Sequence, residues 1–380
     1  MLDRREFLYV AAAPRRKYRA AVIGHTGRGN YGHGWERTWN GLPGVEVAAL
    51  ADADEKGRKA AAARCGAARQ YADYRQMLAA EKPDLVAICP RWLDRRLEMV
   101  LAAIEAGAHI LVEKPFAQSV EDADRMVAAA ERRGVKIQAG HTARPHPITL
   151  QVQRLIGEGI IGELMAIRAR GKEDARAGGE DLMVLGTHCF DMMRQFAGDP
   201  EWVFGSVTEQ GRPVRRGMER KATEPIGPVA GDEVIGMYRF ARGVHGHFGS
   251  RKSDVRAGTR FGVTFCGSQG QIFVPLSTVP SAPAALLRAA SWSFEKEARW
   301  ELIAPPPEAA ALDREAINRM MAADLIAAVE KGREPVCGAR DARWTIEMAM
   351  GLYQSHLAGA RVAFPLRDRR APFAGTGLPA

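Results

Sequence analysis

The strongest constraint on this chain of 380 residues lies near its start. A short apolar run, Tyr18 to Gly24, ends in the turn Gly24-His25-Thr26-Gly27-Arg28-Gly29, and a second apolar run beginning at Val45 ends in Asp52. A strand, a glycine turn, and a second strand closed by an acid roughly 20 residues on form the pattern of a dinucleotide-binding βαβ unit. Two Gly-x-Gly-x-x-Gly registers fit. Gly27, Gly29 and Gly32 match strictly but start late, whereas Gly24, Thr26 and Gly29 leave the strand end directly, so the second is preferred. A helix around Trp35 to Leu42 is then expected to aim its N-terminus at the pyrophosphate. In this reading Gly24, His25, Thr26, Gly27, Arg28 and Gly29 approach the cofactor. Asp52 accepts hydrogen bonds from the adenosine ribose, which favours NAD(H) over NADP.

The alternation continues. Glu55 to Cys65 reads as a helix, Leu85 to Cys89 as a buried strand, and Leu97, Val100, Leu101 and Ile104 as the apolar stripe of a helix. His109 to Glu113 is a strand, Val120 to Arg133 a helix, and Val135 to Ala139 a strand. Such alternation implies a doubly wound parallel sheet, an α/β domain of Rossmann type. From Leu164 the pattern changes. Trp202–Val207, Val234–Phe240, Val244–Ser250, Phe261–Cys266 and Gln271–Val274 read as strands joined by short turns. They imply an open-faced, mostly antiparallel sheet in an α+β domain, with Val279 to Pro307 as a long loop and helices at Ala316–Lys331 and Ala342–Ala358. The expected organisation is an N-terminal segment at 1–17, a Rossmann domain at 18–140 and a second domain at 141–380.

Composition excludes other classes. Hydrophobic residues at 46% and charged residues at 26% are globular proportions. No apolar run reaches the roughly 18 residues of a membrane span. The formal charge of +9 comes from arginines spread along the chain among acids, which argues against a nucleic-acid face. Cys65, Cys89, Cys189, Cys266 and Cys337 are odd in number and far apart, so they make neither a disulfide framework nor a zinc site. His245-Gly246-His247 puts two imidazoles on one strand face, but without a nearby cysteine or acid ligand no metal is expected. At the N-terminus, Arg4-Arg5-Glu6-Phe7-Leu8 followed by Ala11-Ala12-Ala13 resembles a twin-arginine export signal. Its apolar stretch is short, and Pro14 and Arg15-Arg16-Lys17 run almost directly into the first strand. A degenerate signal and a cytoplasmic protein are expected, with periplasmic export as the alternative.

The segment Ala106-Gly107-Ala108-His109-Ile110-Leu111-Val112-Glu113-Lys114-Pro115 strongly resembles the "AGKHVLVEKP" hallmark of the Gfo/Idh/MocA family, named for glucose–fructose oxidoreductase and inositol dehydrogenase. Arg144-Pro145-His146-Pro147, Gly186-Thr187-His188, Gly267-Ser268-Gln269-Gly270 and Val362-Ala363-Phe364-Pro365-Leu366 extend the resemblance along the chain. It implies Lys114 beside the nicotinamide, donating to the reacting oxygen, and His188 as the catalytic proton relay. It also implies Glu113 and the Cys89-Pro90-Arg91 turn along the cofactor, with His141, Arg144 and Asp181 toward the substrate. The departure is Val184, where the family carries an aspartate one helical turn before the histidine; Asp191, three residues after it, could stand in. The implied protein is an NAD(H)-dependent oxidoreductase acting on a carbinol carbon of a sugar, polyol or sugar derivative, as a homodimer or homotetramer. Two alternatives stay open: a glycosidase that retains its NAD through transient oxidation and elimination, and a non-catalytic dinucleotide-binding protein with a degraded site.

Overall fold

A computed structural model describes residues 16–252, 261–276, 282–290, 298–310 and 312–373. The signal-like segment therefore lies outside the described residues except for its last two. The chain forms two compact units, and their boundary differs from the expected one. The first unit takes the residues up to Ala117, then Asp122–Thr142, and also Asp313–Ala342. The helix expected in the second domain therefore packs with the first unit.

In the first unit, six parallel strands run β1 (Tyr18–Ile23), β2 (Val45–Ala51), β3 (Arg69–Tyr71), β4 (Leu85–Ile88), β5 (His109–Val112) and β6 (Ile137–Ala139), interleaved with helices α1 (Glu55–Cys65), α2 (Tyr74–Glu81), α3 (Arg96–Glu105) and α4 (Val120–Arg133). Their spatial order, β3-β2-β1-β4-β5-β6, is that of a dinucleotide-binding sheet whose order reverses between β1 and β4. The strands are apolar throughout because both faces are covered; β4 is buried at every residue. Asp54 caps α1 and Asp73 caps α2, each accepting a backbone N–H of the first turn.

One crossover breaks the pattern. No α-helix joins β1 to β2; residues 24–41 make turns, a His25–Asn30 bridge and a three-residue 3₁₀ turn at Trp35–Arg37. The helix expected from Trp35 to Leu42 does not form. Gly27, Gly29, Asn30, Gly32 and Gly34 all have positive φ, between +53° and +84°. Left-handed residues at that density cannot propagate a right-handed helix.

The second unit has α5 (Pro147–Gly157), β7 (Leu164–Arg170), α6 (Gly179–Val184), α7 (Gly186–Ala197) and β8 (Pro200–Glu209), then the two-residue strands β9 (Arg212–Pro213), β10 (Arg220–Lys221) and β11 (Pro228–Val229). It continues with β12 (Glu233–Phe240), β13 (His245–Arg251), β14 (Gly262–Gly267), β15 (Gln271–Pro275), β16 (Ala284–Leu287), β17 (Trp300–Ile303) and α8 (Pro307–Ala310). Helix α9 (Arg314–Lys331) is the one that joins the first unit. Most of α10 (Ala339–Ala358) and β18 (Val362–Ala363) complete the second. All of its strands but β10 and β11, which pair with each other, build one large sheet in the order β17-β16-β15-β14-β7-β13-β12-β8-β18, with β9 also on β8, antiparallel except between β7 and β13. The segment expected as a loop from Val279 to Pro307 contains β16 and β17.

One face of this sheet packs on helices. A Cβ at Gly205 would come within 2.4 Å of the Leu352 carbonyl of α10, and Tyr238 donates to the Met348 carbonyl at 3.1 Å. The other face is open and carries Phe204 (46% exposed) and Ile235 (52% exposed). All five cysteines are buried thiols.

Candidate functional site

The glycine turn leaves β1 at Gly24, as the preferred register requires, but it is held differently from the expectation. The Tyr31 ring covers Gly24 so closely that a Cβ there would lie 2.1 Å from the ring edge. Thr26, in the middle glycine position, packs against Gly57 of α1, where a Cβ would come within 1.9 Å of its hydroxyl. Most turn amides are used internally. Those of His25 and Asn30 bridge each other's carbonyls, that of Arg28 donates to the His25 carbonyl, and that of Gly27 donates to the Asn30 side chain.

Asp52 is the acid expected to accept from the ribose. It is 2% exposed, and its carboxylate accepts from the Thr26 N–H and hydroxyl (2.7 Å), the Tyr31 hydroxyl (2.7 Å) and the Asp54 N–H (3.0 Å). Four donors saturate a carboxylate. Asp52 ties the first turn to the second strand.

A cavity of about 150 Å³ opens at the C-terminal edge of this sheet half, where open α/β sheets bind ligands. Its walls include Gly24, His25, Ala53, Arg75, Arg95 and Met99. Burial, followed by the charge of Arg28, pushes the His25 imidazole below its ordinary range, which favours its neutral form. Arg75 and Arg95 share one carboxylate, Glu98, at 3.1 and 3.2 Å, and Arg28 pairs with Asp94. A dinucleotide fits this donor set in chemistry: an apolar-walled slot for the adenosine, and guanidinium groups for the diphosphate in place of a helix N-terminus.

The Glu-Lys-Pro segment lies at the end of β5. Lys114 is 5% exposed. Arg96, itself 1% exposed, donates to the carbonyls of Pro90, Glu113 and Pro115 and so pins the turns after β4 and β5 to each other. Burial lowers its guanidinium to about 10. Glu113, expected along the cofactor, is fully buried and accepts from the Lys114 N–H at 2.6 Å and from His33 Nδ1. Burial pushes the Glu113 carboxyl up, but His33 and Lys114 outweigh it and hold the group at about 2. From the sequence His33, just after the glycine turn, could line the cofactor or pack, with packing favoured; the structure sets it against the Glu113 carboxylate. Arg91 meets that cluster through its backbone, its N–H donating to the Gly29 carbonyl at 3.3 Å. His141 is fully buried, with Nδ1 3.4 Å from the Cys337 thiol.

In the second unit, His188 is half-buried on α7 and meets Phe261 edge-on at 6.5 Å. Asp191, the candidate stand-in acid, is 1% exposed and gripped by Arg144, with contacts of 2.6 to 3.0 Å between guanidinium and carboxylate. Arg144, expected to grip substrate, thus anchors α7. Asp181, expected toward the substrate, is fully buried and accepts from the Ser250 hydroxyl at 2.6 Å and the Glu173 N–H at 3.0 Å, so it braces the sheet. On β13, His245 Nε2 lies 3.0 Å from an Arg239 nitrogen, and His247 lies opposite Arg168 in register. Guanidinium neighbours make that pair a poor cation site.

Residues 18–141 match the model of the Gfo/Idh/MocA oxidoreductase family's NAD-binding Rossmann fold, and residues 149–273 match that family's C-terminal domain. The chain belongs to the Gfo/Idh/MocA family. Among its relatives, D-apiose dehydrogenase of Paraburkholderia graminis is 28% identical over 94% of this chain and 92% of that one. An uncharacterised oxidoreductase, ORF334, of Rhizobium meliloti is 35% identical over 42% of this chain. The match spans about half the length of some curated family relatives: 51% of ORF334 and 56% of levoglucosan dehydrogenase from Pseudarthrobacter phenanthrenivorans. A solved structure of levoglucosan dehydrogenase with NADH and levoglucosan superposes with a TM-score of 0.75 at 20% identity, covering 92% of this chain and all of that one. The two share the Gfo/Idh/MocA fold.

Proposed function

We propose that this Gfo/Idh/MocA chain is an NAD(H)-dependent oxidoreductase that moves a hydride to or from a carbinol carbon of a sugar, polyol or sugar derivative. The observation that carries this reading is Lys114, set at the end of β5 by the Arg96 clamp on both flanking carbonyls. The relatives' names supply the substrate class: D-apiose, levoglucosan and inositol dehydrogenases. The nicotinamide, when bound, supplies the hydride acceptor or donor. The chain's residues do the rest. His25, Ala53 and Met99 wall the adenosine, Arg75 and Arg95 offset diphosphate charge, and the Lys114 ammonium donates to the substrate oxygen as it gains negative charge. The resemblance assigns the proton transfer to His188.

Denaturing the purified protein and identifying the released dinucleotide, followed by a sugar panel read at the NADH absorbance, tests the proposal. NAD(H) in the supernatant and turnover lost in Lys114→Ala support it; wild-type turnover in Lys114→Ala refutes it. A second reading, dinucleotide binding without catalysis, gains support from Val184 and from the engagement of Asp191 with Arg144. A complete absence of turnover across the panel with NAD still bound would favour it.

The open sheet face, with Phe204 and Ile235 exposed, is the surface on which we place a homodimer or homotetramer contact. No helix among the described residues is long and apolar enough to cross a membrane. The short apolar stretch before Pro14 favours a cytoplasmic location.

A further inference from the structure

The family pattern that backs the catalytic imidazole with a carboxylate is missing at position 184, while another imidazole, His33, is backed by the carboxylate of the residue just before Lys114. We propose that His33, oriented by Glu113, exchanges the carbinol proton with the substrate, in place of His188. The inference rests on the oxidoreductase reading above.

Position comes first. The turn that carries His33 lies across the C-terminal ends of the central strands. A Cβ at Gly29 would come within 2.6 Å of the Arg91 and Trp92 amides after β4, and one at Gly32 within 2.6 Å of the Cys89 carbonyl and 2.9 Å of the Glu113 carboxylate. His33 therefore sits at the sheet edge where open α/β folds bind their ligands.

Orientation follows. His33 Nδ1 faces the fully buried Glu113 carboxylate, and Asn318 of α9 donates to the His33 carbonyl at 3.1 Å, so both ends of the residue are held. With Nδ1 bonded to a carboxylate, the ring's acceptor is Nε2, on a side chain that keeps 33% of its surface exposed. Glu113 is a far better partner than a surface acid. It is buried, its second oxygen is fixed by the Lys114 N–H, and the charges about it are Lys114 and Arg96, while the buried Cys89 thiol at the end of β4 is pushed up by desolvation and stays neutral. A carboxylate so placed stabilises the imidazolium that forms on proton uptake.

The chemistry balances. In oxidation the hydroxyl proton passes to His33 Nε2 and the carbon's hydride, with its electron pair, leaves for the oxidised nicotinamide, so a carbonyl forms. In reduction both return. Lys114 donates to the oxygen throughout and keeps its own proton.

Two measurements test this. Histidine side-chain NMR, with the His33 signal assigned by its loss in His33→Gln, is recorded with NAD⁺ and then NADH bound. A His33 ring beside the reacting centre gives signals that differ between the two bound forms; identical His33 signals overturn the proposal. The pH profile of kcat/KM is then compared across variants. His33→Gln is expected to lose about 100-fold or more and to lose the acid limb. His188→Asn keeps that limb, and Glu113→Gln moves it to lower pH because the imidazolium has lost its counter-charge. The double variant His33→Gln/Glu113→Gln, which removes the carboxylate together with the imidazole that faces it, must reproduce the loss of the limb if His33→Gln folds poorly. A limb that survives in that double variant and vanishes in His188→Asn returns the role to His188. Failure to bind either dinucleotide overturns the oxidoreductase reading itself, and this inference with it.

Discussion

The Tyr31 hydroxyl donates to the Asp52 carboxylate at 2.7 Å while its ring caps Gly24, so one side chain closes the first turn from below and ties it to the end of β2. Burial, then the hydrogen bond to Asp52, pushes the Tyr31 hydroxyl far above its ordinary range, and it acts only as a donor at any physiological pH.

The first prediction follows from that contact. Tyr31→Phe removes one of the donors on a buried carboxylate and should cost about 1–3 kcal/mol in urea unfolding. Gly24→Ala forces the ring aside and should cost a similar amount. Asp52→Asn should lower stability as well, through the four bonds it disturbs. Unchanged unfolding midpoints in all three would show that the turn is not held as described.

Lys114→Ala should lower turnover about 100- to 1,000-fold, the usual cost of losing one charge-stabilising donor. Dinucleotide binding, followed by fluorescence titration, should survive. Lys114→Arg keeps the charge but spreads it over a plane, so partial activity is the expected result.

Arg96→Met leaves three carbonyls, those of Pro90, Glu113 and Pro115, without their buried donor. Loss of a buried charged donor costs about 3–5 kcal/mol, read as a lower denaturation midpoint. The turns after β4 and β5 should loosen together, which amide hydrogen exchange at Arg91 and Lys114 would detect.

Glu81 gives a pH prediction. Its carboxylate is 7% exposed and accepts from Arg69, Arg19 and the Tyr71 hydroxyl. Arg69 foremost, against the opposing effect of burial, holds it at about 2, below its unfolded value. A depressed carboxylate pKa contributes stability that is present above the unfolded pKa and lost as pH falls through the folded one. Thermal stability should therefore drop between about pH 5 and pH 2, less steeply in Glu81→Gln, whose side chain carries no charge to lose.

Much of the fold was legible because buried parallel strands are apolar without alternation and end at glycine, proline or acid. The expected strands at Leu85 and His109 start where the observed ones do, and the helices Glu55–Cys65 and Val120–Arg133 match at both ends. The short β3 and α2, from Arg69 to Glu81, gave no such signal because β3 is a three-residue edge strand with Arg69 and Gln70 exposed and Tyr71 half-buried. The first crossover misled for the opposite reason. Motif spacing argued for a helix, while the glycines inside it, read as phosphate contacts, prevented one.

The site was legible in its lysine and not in its acids. Asp52 and Asp181 stood at spacings that suggested ligand work and Asp191 at one that suggested backing for His188, and each is engaged by neighbours that only three-dimensional packing brings near. Ser250 reaches Asp181 from 69 positions away, and Arg144 reaches Asp191 from 47. No local pattern records such a partner.

The helix Arg314–Lys331 belongs to the first unit and reaches its opening turns through Asn318, whose backbone carbonyl accepts from Thr38 at 2.9 Å and whose amide holds His33. The nucleotide-binding half of this protein is therefore not one stretch of chain. A fragment cut after Thr142 would expose the flank of β5 and β6 and leave His33 untethered. Supplying a peptide of residues 313–342 in trans should restore it, by the logic of fragment complementation.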